Sequence, residues 1–202
     1  MTRKGEGELP QIARDDADGD VARGDETTLR DAFAELVPPA KAPPQLLRER
    51  LLATVMRPRL RYAPLYGSLA QLFDLSDTDL ANLFERAASP DEWVTAPIPG
   101  TQLFHLSGGP RVAHADNGLV RIRAGTRFPF HRHLGPERVL VLEGAYLDEQ
   151  SGLTFRAGDL HEMAEGTAHA YVAQGDCALL LAVSVVRGVD VEGYGALSAA
   201  SK

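Results

Sequence analysis

The sequence is poor in the features that would mark a special environment. It carries one cysteine, Cys177, in 202 residues, which excludes an internal disulfide framework and any cysteine-rich zinc module. No apolar run approaches the roughly 20 residues a helix needs to cross a bilayer. The opening stretch MTRKGEGELPQIARDD lacks the apolar segment of a secretory signal. There is no long basic run and the net charge is −7, so nucleic acid is not an expected partner. A hydrophobic fraction of 44% is enough for a packed core, and the length suits one domain with a small appended segment. The expectation is a cytoplasmic protein of a reducing compartment that does not engage a membrane.

What is present changes character along the chain. Residues 1–26 are rich in Gly, Asp, Glu and Arg and nearly lack large apolar side chains, the composition of a disordered tail. Residues 27–89 have helical spacing. TTLRDAFAEL puts Leu29, Phe33 and Leu36 on one face before Pro38-Pro39. PPQLLRERLLATVM supplies Leu46, Leu47, Leu51 and Val55 before Pro58. In SDTDLANLFERAA, Leu80, Leu83, Phe84 and Ala87 recur at helical intervals behind a Ser76-x-x-Asp79 cap. After Ser89-Pro90 the pattern shortens. TQLFHL, GLVRIRAG, ERVLVLEG, LTFRAGD, AHAYVAQG and CALLLAVSVV are β-branched or alternating runs separated by turn residues, which predicts an antiparallel sandwich or barrel over 90–188. Residues 189–202 read as a frayed C-terminal tail. The fold class expected is mainly β, preceded by a small α-helical segment.

Within the β region lies HRHLGPERVLVLEG, residues 131–144. A His-x-His pair alone arises by chance in roughly one chain in five or six of this composition, so by itself it decides nothing. Requiring also Gly125, Glu137 and Gly144 at their positions lowers the chance expectation by about three orders of magnitude. The chemistry is coherent. In a strand, His131 and His133 point to the same side. The bend at Leu134-Gly135-Pro136 can bring the Glu137 carboxylate round to join them on a cation. A fourth ligand would come from another strand, and GDLHEMAEGTAHAYVA offers His161 and His169.

Gly125-x5-His131-x-His133-x3-Glu137-x6-Gly144 resembles the first motif of the cupin superfamily at every defined position. Gly158, Gly166 and His169 follow the second motif, with Ala164 and Ala173 in place of its Pro and Asn. The resemblance implies a double-stranded β-helix, a jelly-roll barrel, holding a divalent metal ion through His131, His133, Glu137 and His169. Zinc is the first choice of ion, with iron, manganese or nickel as the others. His161 is expected beside the site, not on the ion, while His105 and His114 fall outside both motifs. Cys177, in an apolar run, is expected to be a buried inert thiol. Strand parity then puts Thr167, Tyr171, Val139 and Val141 inside the barrel. It turns Phe128, Phe130, Leu140 and Leu142 outward, to be covered by the helices or by a second subunit in a homodimer. A bulge would switch that parity locally.

The wording FPFHRHLGPERVLVLEGAYLDEQSG…AGDLHEM is most similar to the cupin domain of ChrR-type anti-sigma factors, over about residues 90–188. LVPPAKAPPQLLRERLLATV resembles the linker that precedes that domain. The family's anti-sigma module carries a His-x3-Cys-x2-Cys zinc signature, and this sequence has none. The resemblance therefore implies a metal-binding regulatory or stress-sensing module with a transcription-related partner. The other function class is a small metal-dependent dioxygenase-type enzyme acting on a chelating small molecule in the barrel.

Overall fold

Sequence order and packing meet first in the helices. The computed structural model describes residues 44–198; the expected tail at 1–26 and the amphipathic stretch at 27–36 lie outside them. Four described helices come first: α1 (Gln45–Met56), α2 (Pro58–Arg61), α3 (Tyr66–Phe73) and α4 (Asp77–Ala87). α4 begins as its sequence dictates. The Ser76 hydroxyl accepts from the Asp79 amide, and the Asp79 carboxylate reaches back to the Ser76 amide, a reciprocal cap that contributes about 1 kcal/mol. Its apolar stripe of Leu80, Leu83, Phe84 and Ala87 is buried as expected. α1 differs. Leu46, Leu47, Leu51 and Leu52 are all exposed, because two adjacent pairs spread round a helix instead of forming one stripe. No described helix is long and apolar enough to cross a membrane.

Twelve described strands follow: β1 (Val94–Thr95), β2 (Thr101–Leu106), β3 (Ala115–Ile122), β4 (Arg127–His133), β5 (Glu137–Glu143), β6 (Ala145–Asp148), β7 (Thr154–Arg156), β8 (Leu160–Met163), β9 (Ala168–Gln174), β10 (Leu179–Val186), β11 (Val189–Val191) and β12 (Gly195–Leu197). They form two six-stranded antiparallel sheets, in the orders β1-β2-β3-β10-β5-β8 and β12-β11-β4-β9-β6-β7. The mainly β barrel expected from the sequence is the fold observed.

Alternation along the strands separates two cores. Val139, Val141, Leu181 and Ile122 meet Tyr146, Tyr171 and Ala173 inside the barrel. Leu119, Leu140, Leu142, Leu180 and Ala182, on the other face of the first sheet, pack with Leu69, Leu72, Phe73, Leu80 and Phe84 of the helices. The helices therefore cover the outward leucines, and the described helices and the barrel belong to one compact unit that begins at Gln45. Each leucine buried there contributes roughly 1.5–3 kcal/mol.

Three expectations are corrected. The β4–β9 register slips between Phe128 and His131, so Phe128 turns inward and stacks on Tyr171 at 5.0 Å between centroids. Phe130 stays outside and exposed. A bulge has switched the parity. Cys177 is exposed, because β10 starts only at Leu179 and the thiol falls in the turn before it. Residues 189–197 are not frayed: β11 pairs with β4, and β12 with β11. Gly188, Gly193 and Gly195, all at positive φ, let the chain turn back twice.

Candidate metal centre

The three histidines of the two motifs come together from two neighbouring strands. His131 and His133 alternate with exposed Arg132 on β4, and His169 on β9 lies directly opposite His131. All three are buried. Their ring centroids lie 4.5 Å (His131–His169), 5.1 Å (His131–His133) and 5.1 Å (His133–His169) apart. One ring nitrogen of each lies within 4.8 Å of those of the other two, a spacing that could hold a metal ion.

Glu137 reaches this group through the bend that follows β4. A Cβ at Gly135 would stand 2.3 Å from the Val186 carbonyl oxygen, so the chain can pass there only without a side chain. The Val186 amide then donates to the Pro136 carbonyl at 3.0 Å. β5 starts at Glu137, whose buried carboxylate Oε2 lies 3.0 Å from His133 Nε2.

Hydrogen bonds on the far side of each ring settle which nitrogens face inward. His131 Nδ1 lies 3.0 Å from the Pro129 carbonyl oxygen, which can only accept. His133 Nδ1 lies 2.9 Å from Thr167 Oγ1, and that hydroxyl gives its proton to the Ala164 carbonyl at 2.6 Å. It must therefore accept from His133. His169 Nδ1 donates to Asp148 Oδ2. Each ring thus carries its proton on Nδ1 and presents an Nε2 lone pair to the interior. Such outer acceptors orient a metal-binding imidazole and raise its basicity.

One consequence is an unmet demand. His133 Nε2 and Glu137 Oε2 are buried without a hydrogen-bond partner although they are near neighbours, because in the neutral ring both are acceptors. Two facing acceptors away from water are unfavourable unless a cation or a proton sits with them. The three imidazole nitrogens therefore fit a divalent ion, with the Glu137 carboxylate brought beside His133 but outside the mutual spacing of the three. Burial supports the neutral form of His131. Desolvation, partly offset by the Pro129 bond, holds its imidazole down to about 4.

Asp148, which no motif signals, completes the arrangement. Its Oδ1 accepts from Gln150 N at 3.0 Å, Ser151 N at 2.7 Å and Ser151 Oγ at 3.0 Å, tying a turn, while Oδ2 holds His169. Burial alone would raise its pKa, but the bonds from His169 and Ser151 outweigh it and keep the carboxyl below its usual range. The signal available in the sequence is the turn LDEQSG, in which an Asp caps the amides that follow. His161 takes part in the hydrogen bonding around the site. Its Nδ1 lies 2.8 Å from the Tyr146 hydroxyl and its ring stacks on Phe155 at 4.0 Å. It also groups with Asp148 and His169, through atoms of which one pair is already bonded. His105 and His114 are exposed and join neither ligand group, although His105 lines the cavity that opens beside the cluster.

A cavity of about 370 Å³ opens beside the cluster, bordered by His131, Glu137 and His169 and walled by residues such as Phe128, Val139, Tyr146, Tyr171 and Leu181. Among the described residues neither Lys nor Arg lines it, while His105 and Asp116 do, so an anionic group on a guest would find no guanidinium or ammonium there.

Residues 87–186 match the ChrR cupin-like domain. This part of the chain belongs to that family. The ChrR cupin-like domain has structural relatives at low identity. One is the anti-sigma ChrR of Rhodobacter sphaeroides in complex with SigE: identity is 25%, 78% of this chain and 75% of that one are covered, and the TM-score is 0.48. An acetylacetone dioxygenase from Acinetobacter johnsonii is 17% identical over 55% of this chain and 80% of its own, with a TM-score of 0.45. An RmlC-like cupin from Ralstonia eutropha is 18% identical over 49% of this chain and 65% of its own, with a TM-score of 0.44. No curated protein matches the chain.

Proposed function

We propose that this protein is a metal-binding ChrR-like cupin that acts as a regulatory, stress-sensing module in the cytoplasm. His131, His133, Glu137 and His169 are its metal residues and zinc is the first candidate ion. The observation that carries the reading is the set of pinned rings: all three Nδ1 positions are occupied from behind, and the Nε2 side is left to face a buried, unpartnered carboxylate oxygen. A bound divalent ion would supply a Lewis-acid centre at the end of the cavity. The chain's own residues orient the imidazoles, exclude bulk water and offer an apolar chamber to a small molecule. Membership in the ChrR cupin-like family supports the regulatory role and a transcription-related partner.

One observation favours a second reading, a small dioxygenase-type enzyme. The cavity touches the histidine cluster directly, so a chelating guest could reach the same residues. That no Lys or Arg among the described residues lines the cavity to fix an anionic substrate speaks for the first reading.

Elemental analysis of protein expressed without added metal is the test. About one ion per chain is expected, lost in His131→Ala and in His133→Ala. Stoichiometric metal retained in both variants would overturn the assignment. Purified protein that carries iron and consumes oxygen with a β-diketone would replace the sensory reading with the enzymatic one.

A further inference from the structure

A second cavity lies away from the histidines, between the helices and the outer face of the first sheet. It measures about 230 Å³ and is bounded by Arg61, Tyr62, Trp93, Arg121 and Glu143, with apolar wall from Phe84 and Leu180. We propose that it is a binding site for a small organic carboxylate, held by the Arg121 guanidinium.

The polar groups around it are unequally satisfied. Both Glu143 oxygens are engaged, Oε1 by the Tyr62 hydroxyl and Oε2 by Arg61 at 2.9 Å. The Arg121 guanidinium carbon lies over the Trp93 ring, 3.8 Å from its centroid. Trp93 is itself fixed, its indole N–H donating to the Ala87 carbonyl at 2.9 Å. Stacking of this kind holds a guanidinium in place while leaving its edge donors free. The one polar contact of Arg121 is a long one, 3.5 Å to Gln102 Oε1, and no described carboxylate pairs with it. A cation with five N–H donors is thus oriented on a cavity wall with most of them unspent.

The surroundings choose the anion. A guanidinium edge matches the two oxygens of a planar carboxylate. Glu143 in the same cavity repels a dianion more than a monoanion. The Phe84, Trp93 and Leu180 wall suits an apolar body and offers a phosphate no compensation for lost hydration. The size fits a guest of a few carbon atoms or a single ring. The site is independent of the metal reading.

Trp93 is the sole tryptophan, so its fluorescence reports on this cavity. The experiment titrates sodium benzoate, hexanoate and inorganic phosphate into the full chain at constant ionic strength. Saturable quenching by a carboxylate is expected, with phosphate weaker. Arg121→Gln should weaken the carboxylate by at least about tenfold. His131→Ala, which alters the other cavity, should leave it unchanged. Glu143→Gln should tighten binding, because it removes a like charge and releases Arg61, a gain that mere damage to the fold would not produce. Absence of a saturable response, equal affinity in Arg121→Gln, no gain in Glu143→Gln, loss in His131→Ala, or phosphate binding as tightly as the carboxylates would each overturn the proposal.

Discussion

Asp148 on β6 holds His169 on β9 through a carboxylate–Nδ1 hydrogen bond, although neither residue is near the other in sequence. The same carboxylate ties the turn at Gln150 and Ser151, so the position of the imidazole is anchored to the backbone of a neighbouring hairpin. Replacing Asp148 by Asn keeps the shape and removes the charge. Metal affinity should fall about 10–100-fold, measured by competition with a chromophoric chelator. Unchanged affinity would restrict Asp148 to its role in the turn.

Thr167 fixes the His133 tautomer by accepting its Nδ1 proton. Thr167→Val removes the acceptor at nearly constant volume and should weaken metal binding by a similar factor, whereas Thr167→Ser should restore it. If Val and Ser behave alike in the same competition assay, the hydroxyl does not set the tautomer.

His131 gives the metal-free protein a defined pH response. Its imidazole is held at about 4 in the folded state, below its unfolded value of roughly 6.5. Between these limits the unfolded chain binds the proton and the folded one does not. This contribution to stability is complete above about pH 6.5, declines as the pH falls toward 4, and levels off below, for a total of about 3 kcal/mol. Urea unfolding in the presence of chelator should show this loss in wild type and not in His131→Gln, so the difference between the two isolates the group. Parallel profiles would contradict the assignment.

The bulge in β4 separates Phe128 from Phe130. Phe128, stacked on Tyr171 inside the barrel, should cost roughly 2–3 kcal/mol when changed to Ala. Phe130, exposed at 42%, should cost under about 0.5 kcal/mol. Thermal melts of the two variants decide the register, and equal losses would mean that no parity switch takes place.

Legibility in the sequence followed the distance over which each feature is specified. His131, His133 and Glu137 lie within seven residues, and local strand and turn geometry is enough to gather them. Leu80, Leu83, Phe84 and Ala87 declared their face through helical spacing alone. Asp148 was missed because its partner is set by the β6–β9 pairing, which no local pattern encodes. Phe128 was misplaced because one irregularity in the β4–β9 ladder inverts every parity inference on its side of the slip. The exposure of Cys177 turned on where β10 begins, a boundary that the continuous run CALLLAVSVV does not mark. Val189–Val191 and Gly195–Leu197 are too short to read as strands; the first pairs with the ladder that β4 presents and the second with the first.

That last hairpin matters beyond its length. Val189 and Val191 stand opposite His133 and His131, so the strand that bears two of the three histidines is an interior strand only by virtue of residues 189–191. Removing them would turn β4 into an edge, with open amides and carbonyls available to another molecule's strand. The C-terminal hairpin is, in that sense, a guard against edge-to-edge aggregation at the one place where such pairing would also disorder the histidine cluster.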